Sequence, residues 1–217
     1  ATNASHQGVF RTAQEQPKKW TMVTTSCIKA FYPYNPADHA LSVQGLELLG
    51  EYISNRTIDF MMFLGDFIYI DLPHPLGWSR AHYTAAYRQV YASPSWTPAL
   101  TSLPWLHVYD DHEIINDWSG NETGLYADAI APYWNYQGRA NPPSAWGPDE
   151  SYYAFHHGDV AFFVLDTRRY KSESSLPDGP GKTMLGAQQL AHLKDWLETE
   201  KRWKVVVSSV PATRNWG

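Results

Sequence analysis

The sequence alternates between apolar runs and the polar residues that end them. The most prominent run, IDFMMFLGDFIYID (58–71), stays apolar up to Gly65 and then presents Asp66, with Tyr69 three residues further on. Apolar runs bounded by turn residues are typical of strands buried on both faces. Four further runs end in polar side chains, at Cys27 in MVTTSCIK, at Asp110, Asp111 and His112 in LHVYDDHE, at Asp166, Arg168 and Tyr170 in VAFFVLDTRRY, and at Ser208 and Ser209 in KVVVSSV. Because ligands of open α/β sheets bind beyond the carboxyl ends of the strands, the pattern predicts a site built from several loops at one edge.

The segments between these runs predict helices that connect the strands. Residues 37–54 carry leucines at roughly helical spacing and predict a crossover helix, and residues 79–91 predict another ahead of a strand at 105–109. A tight turn at His157 and Gly158 predicts an antiparallel hairpin. Thr183 is expected to cap a helix over 185–202 that leads into the last strand. The pattern therefore predicts one α/β domain in which the sheet is mixed.

Two segments fall outside this alternation. Residues 1–19 are polar and carry no apolar pattern, so we expect an arm that lies over the surface. Residues 119–149 are rich in Gly, Pro, Asn, Trp and Tyr, and long ordered insertions of this kind are usually functional. We interpret them as a rim or lid that faces the substrate. The alternative is a helical and looped excursion packed on the surface.

Composition excludes some classes of partner and favours one compartment. The chain has 217 residues, with 17 Lys and Arg against 22 Asp and Glu, and this mildly acidic balance excludes a polymeric nucleic acid as the expected partner. No apolar stretch reaches the roughly 20 residues that a membrane-spanning helix needs. The single cysteine excludes an internal disulfide, but three glycosylation sequons at Asn3, Asn55 and Asn121 favour a secreted protein. The alternative is an intracellular enzyme with unused sequons.

Three residues near the first two strand ends combine donors that suit a metal. Asp66 and Tyr69 offer a carboxylate and a phenol, which are hard anionic oxygen ligands, and Cys27 adds a softer thiolate. Together these donors favour iron over zinc. The alternatives are a turn-forming aspartate at Asp66, a core aromatic at Tyr69 and, for Cys27, the buried packing typical of a lone cysteine.

The DDHE segment (110–113) concentrates ionisable groups at a third strand end. Its carboxylates and imidazole predict either metal ligands or a network of perturbed pKa values. Asn116, one turn further on, could direct its amide oxygen to the same ion, and His112 is the natural proton donor to a leaving group. The alternative is the start of a helix in which Asp110 and Glu113 form a capping box.

The fourth strand end offers a carboxylate and a guanidinium. Asp166 and Arg168 could clamp an anion or brace the metal ligands, although a structural salt bridge explains them equally well. His156 and His157 are expected to be solvated in the hairpin turn, without a functional role.

Taken in order, these motifs resemble the PhoD-like alkaline phosphatase family, a branch of the calcineurin-like metallophosphoesterases. The resemblance runs from about Trp20 to the end of the chain and rests on four motifs, each at a predicted strand end: SC (26–27), GDFIYI (65–70), DDHE (110–113) with Asn116, and LDTRRY (165–170). Four short motifs in the family's order are more specific than any one of them.

The resemblance implies a fold and a ligand set. It implies a four-layer αββα sandwich with mixed sheets and a polynuclear site that contains ferric iron and calcium. Cys27 and Tyr69 would ligate the iron, and Asp66 would bridge the metals. Asp111 takes the place of the asparagine ligand in the GNHE motif of the wider superfamily, and His112 matches the histidine of that motif.

The family's pattern also extends further than this sequence. Asn116 carries over as a weaker ligand, and the family supplies further Asp and His ligands from a strand beyond KVVVSSV, whereas the sequence ends at Gly217. We therefore expect residues 20–217 to be the amino-terminal portion of the domain, with an incomplete fold and an incomplete ligand set. A carboxyl-terminal fragment of the same protein would be its partner, or the remaining segment would be missing.

These observations predict a secreted, metal-dependent hydrolase that cleaves small phosphate monoesters or diesters by attack of a metal-bound hydroxide. The predicted catalytic residues are His112, Asp110 and Arg168. His112 would protonate the departing alkoxide, and Asp110 or Glu113 would hold the His112 ring in place. Arg168 would hold the phosphate. Two alternatives stay open. One is a non-haem iron oxidoreductase that uses the same ligands, and the other is a metal-stabilised binding module in which residues 118–146 recognise glycans or a protein surface.

Overall fold

The computed structural model describes residues 17–30 and 39–212, so most of the expected amino-terminal arm, residues 1–16, lies outside the described residues. The described residues form six strands, five helices and a short 3-10 turn. The strands are β1 (Met22–Thr25), β2 (Phe60–Leu64), β3 (Trp105–Val108), β4 (Tyr153–His157), β5 (Val160–Val164) and β6 (Trp203–Val207). The helices are α1 (Gln44–Ser54), α2 (Arg80–Tyr91), α3 (Pro98–Thr101), α4 (Tyr126–Tyr136) and α5 (Gly186–Thr199), and the 3-10 turn spans Gly138–Ala140.

The strands form two sheets of three. The first has the order β1-β2-β3, and all its strands are parallel. The second has the order β4-β5-β6, with β4 antiparallel and β6 parallel to β5. The predicted hairpin is therefore confirmed, but only the second sheet is mixed. Within the described part of the chain, the first sheet is purely parallel because helical crossovers join its strands.

Alternation along the central strands divides the core into layers. In β2, Phe60 and Met62 face the second sheet, whereas Met61 and Phe63 pack against the helices. In β5, Phe162 faces the first sheet, while the alternate residues pack toward Trp196 of α5. Helices α1 to α4 thus cover one sheet and α5 covers the other, which gives the four layers of an αββα sandwich. The double burial expected for β2 is confirmed.

Two predicted helices differ from the observed ones at their ends. Residues 37 and 38 of the predicted helix lie outside the described residues, residues 39–43 are not helical, and helix α1 begins at Gln44. Immediately before it, the Val43 N–H donates to the Ser95 hydroxyl at 2.8 Å. Helix α5 ends at Thr199. The N-cap residue of α5 is Leu185 and not Thr183, and its side chain makes no cap hydrogen bond. Thr183 Oγ1 instead accepts the N–H groups of Leu185 at 3.2 Å and Gly186 at 2.9 Å from the turn before the helix. Residues 110–113 form a turn and not the start of a helix.

The aromatic insertion is partly a core element. Helix α4 packs on α2 and buries Tyr126, Ala129 and Tyr133 in the larger core, so this half of the 119–149 segment fits the packed alternative rather than a lid. The expectation that His157 is solvated was wrong. Its ring is buried, with its centroid 5.0 Å from that of Trp20 and 5.2 Å from that of Phe60.

None of the helices that the structure describes combines the length and the apolar character that crossing a membrane requires.

Candidate metal centre

The candidate site lies where the three parallel strands of the first sheet end. The loops after β1 and β2 run side by side, since the Cys27 N–H donates to the Gly65 carbonyl at 3.1 Å and the Ile28 N–H to the Asp66 carbonyl at 3.0 Å. Cys27 and Asp66 both adopt left-handed backbone conformations, with φ values of 62° and 58°. Such conformations cost of order 1 kcal/mol or more in residues other than glycine and concentrate at functional sites.

Three side chains meet at the first of two overlapping donor groups. Cys27 Sγ donates to Asp66 Oδ2 at 3.4 Å, and the Tyr69 hydroxyl donates to the same oxygen at 3.0 Å. Cys27 is exposed, so the buried packing considered for a lone cysteine is wrong here. A thiol, a phenol and a carboxylate therefore converge on one point at the sheet edge.

The second donor group shares Asp66 with the first. One ligand atom from each of Asp66, Asp111 and His112 lies within 4.8 Å of the others, and all three residues are buried. Asp66 Oδ1 is buried and has no hydrogen-bond partner among the described residues. A buried carboxylate oxygen is costly to leave unpaired, and a cation would satisfy it. The donor set and this oxygen fit a metal site, and Asp66 is the residue that the two donor groups share.

Asp71 is a site residue that the sequence reasoning missed. Its Oδ1 lies 2.8 Å from His112 Nδ1, and its Oδ2 accepts the Asn116 N–H at 3.0 Å. The expectation that Asp110 or Glu113 braces His112 was wrong, because Asp71 holds the ring. The Tyr69 ring packs on the imidazole with the centroids 4.3 Å apart. The signal was present in the sequence, since Asp71 closes the same GDFIYID run as Asp66.

Glu113 holds the loops instead of bracing the imidazole. Only 1% of its surface is exposed, and its carboxylate accepts the N–H groups of Asp66 at 3.0 Å, Phe67 at 2.6 Å and Asp110 at 2.8 Å. The loops after β2 and β3 are thereby joined. Gly65 allows their close approach, because a Cβ there would lie 2.6 Å from Asp110 Cβ.

Asp110 and Arg168 form a pair beside the donor groups. Arg168, 7% exposed, donates through Nε to Asp110 Oδ1, and its Nη2 lies 3.5 Å from Asp111 Oδ1. The Ser209 hydroxyl also donates to Asp110 Oδ1, at 2.9 Å. Asp110 thus faces Arg168 and not His112, and the guanidinium is engaged by carboxylates of the protein.

Asp166 is fully used within the protein. Its Oδ1 accepts the N–H groups of Arg168 and Arg169, both at 2.8 Å, and its Oδ2 accepts the hydroxyls of Tyr109 and Ser151. Of the sequence interpretations, a structural brace describes Asp166 better than an anion clamp, because every oxygen already has donors.

Asn116 has other partners in this structure. It is exposed, and its amide nitrogen donates to Asp117 Oδ2 at 3.0 Å. Its role as a metal ligand stays a prediction.

The acidic donors repel one another in a partly dehydrated site. Burial, followed by the charges of Asp110 and Asp111, raises the pKa of Asp66. Although Cys27 is exposed as a residue, its thiol is partly dehydrated by its neighbours, which raises its pKa, and burial likewise raises the pKa of Tyr69. Bound cations reverse this direction, because they stabilise the deprotonated ligands.

His112 is affected in the opposite sense. Burial alone would lower the pKa of His112, but the hydrogen bond to Asp71 and the charge of Asp66 outweigh it and raise the pKa. The hydrogen bond to Asp71 thus favours the protonated ring.

The four-layer αββα sandwich, with candidate metal donors at its strand ends, is a fold of the metallophosphoesterase type. A family model described as PhoD-like phosphatase matches residues 50–217, and the chain belongs to this family. The resemblance found in the sequence is therefore confirmed.

The chain is similar to several individual proteins. The chain is similar to alkaline phosphatase D of Bacillus subtilis (strain 168), with 24% identity over 201 residues, covering 74% of this chain and 34% of that protein. Among solved structures it resembles PhoD, with a TM-score of 0.65 and 20% identity over 92% of this chain and 43% of the other. It also matches purple acid phosphatase PPD1 from yellow lupin (Lupinus luteus) seeds, with a TM-score of 0.49 and 15% identity over 87% of this chain and 30% of the other. The chain thus spans about a third of the length of its curated relative.

Proposed function

We propose that this chain carries part of the metal site of a phosphoesterase that hydrolyses small phosphate monoesters or diesters. The observation that carries the proposal is the pair of donor groups that share Asp66, whose buried Oδ1 has no partner among the described residues. Two neighbouring metal ions can stabilise both the attacking and the leaving oxygen of an in-line displacement at phosphorus, and a carboxylate that belongs to both donor groups could hold such a pair. Membership of the PhoD-like phosphatase family supports the same reaction class.

The residues fit two ions of different character. Cys27, Tyr69 and Asp66 would hold ferric iron, since thiolate and phenolate donors suit it. The oxygens of Asp66 and Asp111 suit calcium, which takes carboxylate ligands. When bound, these ions would supply the Lewis acidity that neutralises phosphate oxygens and makes water nucleophilic at neutral pH.

The protein's own groups divide the remaining work. His112, with Nδ1 held by Asp71, keeps its other ring nitrogen to protonate the departing alkoxide. Arg168 neutralises the charges of Asp110 and Asp111 and keeps the Asp111 carboxylate oriented toward the donor groups that share Asp66. This is a positioning role; direct contact with the phosphate by Arg168 requires release of one of these partners.

The rest of the protein is part of the proposal. Because the chain spans 34% of the curated relative, we assign full activity to the chain together with a carboxyl-terminal fragment that completes the ligand set. We also propose that the protein is secreted. Asn55, one of its sequons, lies exposed directly after helix α1.

Elemental analysis combined with phosphate release tests the proposal. The purified natural protein, supplied with iron and calcium, is expected to contain both metals and to release phosphate from aryl phosphate esters. Asp66→Asn is expected to lose metal and activity while remaining folded, whereas the control Asp195→Asn, at an exposed position of α5, retains both. Metal-loaded protein that releases no phosphate from monoesters or diesters would overturn the proposal.

A further inference from the structure

Two of the three glycosylation sequons lie in the described part of the chain, and their surroundings differ. Asn55 and Asn121 are both exposed, so exposure does not separate them, and Asn3 lies outside the described residues. A sequon accepts a sugar through the amide nitrogen of its Asn, and the hydroxyl that follows is part of the recognised motif. The hydrogen bonds of these two groups therefore decide which sequon the fold leaves available.

The Asn55 sequon keeps both groups available. Asn55 directly follows helix α1 and caps it only through its backbone N–H, which donates to the Ile53 carbonyl. Neither the Asn55 amide nor the Thr57 hydroxyl bonds to another described residue, and residues 54–57 are all exposed. A sugar attached to Asn55 would therefore displace no hydrogen bond that these two side chains make to the described residues.

The Asn121 sequon is used within the protein. In the orientation that satisfies its surroundings, the Asn121 amide nitrogen donates to the carbonyls of Lys171 at 3.0 Å and Arg169 at 3.1 Å. The Thr123 hydroxyl donates to the Gly120 carbonyl at 2.6 Å. Because a sugar replaces one of the two amide hydrogens, a glycosylated Asn121 would lose at least one of its two carbonyl partners.

The two sequons also differ in their position relative to the candidate metal centre. Asn55 precedes β2, whereas the donors follow the other end of that strand, which spans about 15 Å. The carbonyl partners of Asn121 belong to the loop after β5 that also carries Arg168, whose guanidinium holds Asp110. A glycan at Asn55 would thus lie away from the centre, whereas one at Asn121 would disturb a loop that supports it.

Asn55 stands at the end of a stripe of exposed apolar side chains. Leu48 and Tyr52, on helix α1, precede it by seven and three residues, a spacing that brings helical positions to one face. They are 59% and 55% exposed, more than every other large apolar side chain of the described residues except Trp203. An oligosaccharide on Asn55 would begin beside this stripe.

We propose that Asn55 is a site of N-linked glycosylation, that Asn121 is not, and that the glycan covers Leu48 and Tyr52. In this modification the Asn55 amide nitrogen bonds to the anomeric carbon of an oligosaccharide carried on a lipid diphosphate. The bond between that carbon and the diphosphate oxygen breaks, the lipid diphosphate leaves with the electron pair, and the nitrogen gives up one proton. The inference rests on the proposed secretion of the protein and not on its reaction.

Peptide mapping tests the choice of acceptor. The natural protein, and the same full-length protein directed into the secretory pathway of a eukaryotic host, are treated with peptide N-glycosidase in heavy-oxygen water. This treatment converts each glycosylated Asn to a labelled Asp. Label is expected at Asn55 and not at Asn121 in both samples. An unlabelled Asn55 in the protein that has passed through the secretory pathway, or equal label at Asn121, would overturn the assignment.

Variants of the sequon hydroxyls isolate each acceptor. Thr57→Ala should remove the label at Asn55, whereas the matched control Thr57→Ser, which restores a hydroxyl, should keep it. Thr123→Ala should leave the total glycan mass unchanged. A loss of glycan mass in Thr123→Ala would contradict the assignment.

Oxidative labelling of tyrosine tests the covering role. Tyr52 should react more slowly in the glycosylated protein than in Thr57→Ala, because the glycan shields its ring. Tyr91, which is 40% exposed on α2, is the control and should react at the same rate in both. Equal rates at Tyr52 would overturn the covering role.

The same samples separate this inference from the other proposals. A natural protein without label at any sequon overturns the proposed secretion and this inference with it, whereas label at Asn3 alone overturns this inference and leaves secretion standing. Protein that is labelled at Asn55 but releases no phosphate from any ester supports the glycosylation site and overturns the phosphoesterase function.

Discussion

The two sheets present similar polar residues at their strand ends, but they use them differently. In the first sheet, Asp66 keeps a buried oxygen without a partner among the described residues, at the point where two donor groups overlap. In the second sheet, both oxygens of Asp166 accept two hydrogen bonds each from the protein. An aspartate after a buried strand is thus no sign of chemistry by itself. The buried oxygen without a partner distinguishes the candidate ligand Asp66 from the structural brace Asp166.

The contrast extends to the neighbouring side chains. The first sheet places Cys27, Tyr69 and His112 around Asp66, whereas the second contributes Arg168 and Ser209, which hold Asp110. One sheet supplies the candidate ligands and the other supports them from the side. This division predicts different consequences for equivalent mutations.

The largest difference is expected between Asp66→Asn and Asp166→Asn. Asp66→Asn should reduce metal affinity by at least about a hundredfold while the fold is retained, because it removes a shared ligand that makes few protein contacts. Asp166→Asn should lower the free energy of unfolding by about 3–5 kcal/mol, because it disrupts a buried network. Denaturant titration and metal analysis of both variants measure these effects, and equal losses of stability would contradict the division between the sheets.

Glu113→Gln tests whether the Glu113 carboxylate, which joins the loops after β2 and β3, supports the candidate metal ligands. An amide cannot accept all three N–H groups as the carboxylate does, so we expect a loss of about 2–4 kcal/mol in unfolding free energy and metal affinity lowered by about tenfold or more. Glu122→Gln, whose exposed carboxylate pairs with Arg169, is the control and should change stability by less than about 1 kcal/mol. Unchanged metal affinity in Glu113→Gln would refute the idea that the Glu113 hydrogen bonds support metal binding.

His107 should make the first sheet sensitive to acid. Burial lowers the pKa of His107 from 6.5 to about 3, and its Nδ1 is buried without a hydrogen bond to any described residue. Between these two pKa values the unfolded chain therefore binds more protons than the folded chain. The contribution of His107 to the free energy of unfolding is fully present above about pH 6.5 and is lost progressively as the pH falls toward 3. The loss at pH 4 is about 3 kcal/mol.

Replacement of this ring isolates its contribution. His107→Phe, at a position that already contacts Phe63, Phe67 and Trp105, should lose less stability between pH 7 and pH 4 than the parent protein. The exposed His74→Gln should behave like the parent. Parallel stability curves for His107→Phe and the parent would disprove the assignment.

Asp71→Asn should change the pH dependence of activity. The Asp71 hydrogen bond raises the pKa of His112, and a proton donor loses activity as pH rises through its pKa. The variant should therefore lose activity at a lower pH than the parent, with kcat reduced by about 10- to 100-fold. A pH–rate profile checks this, and an unshifted alkaline limb would exclude His112 as the acid.

Ser209→Ala should have the smallest effect. It removes one hydroxyl donor from Asp110, which Arg168 still holds, so a loss of about 0.5–1.5 kcal/mol in unfolding free energy and little change in metal content are expected. A strong loss of metal would mean that the second sheet contributes more than support.

The sequence predicted the strands and the convergence of candidate ligands well, because both follow from local pattern. The runs that end at Cys27, Asp66 and Asp110 place these residues at one edge once the strands are parallel. The partners of these residues were harder to predict. Asp71 holds a histidine 41 positions away, and Glu113 reaches back 47 positions to the Asp66 N–H. No periodicity encodes such contacts between loops.

Other errors have the same origin. The leucine spacing that begins before α1 does not reveal where the helix starts. Val43 is the residue before the first turn, and its N–H donates to the hydroxyl of Ser95, far along the chain. His157 was expected in solvent, but Trp20, from the start of the described chain, packs over its ring. Tertiary contacts override the local signal in both cases.

The left-handed backbone at Cys27 and Asp66 carries an evolutionary consequence. Glycine adopts this conformation at no steric cost, so replacing either residue by glycine would relieve local strain at the expense of a candidate metal donor. A population selected for thermal resistance alone should therefore discard these two side chains early, and their retention in a lineage would indicate that selection acts on catalysis.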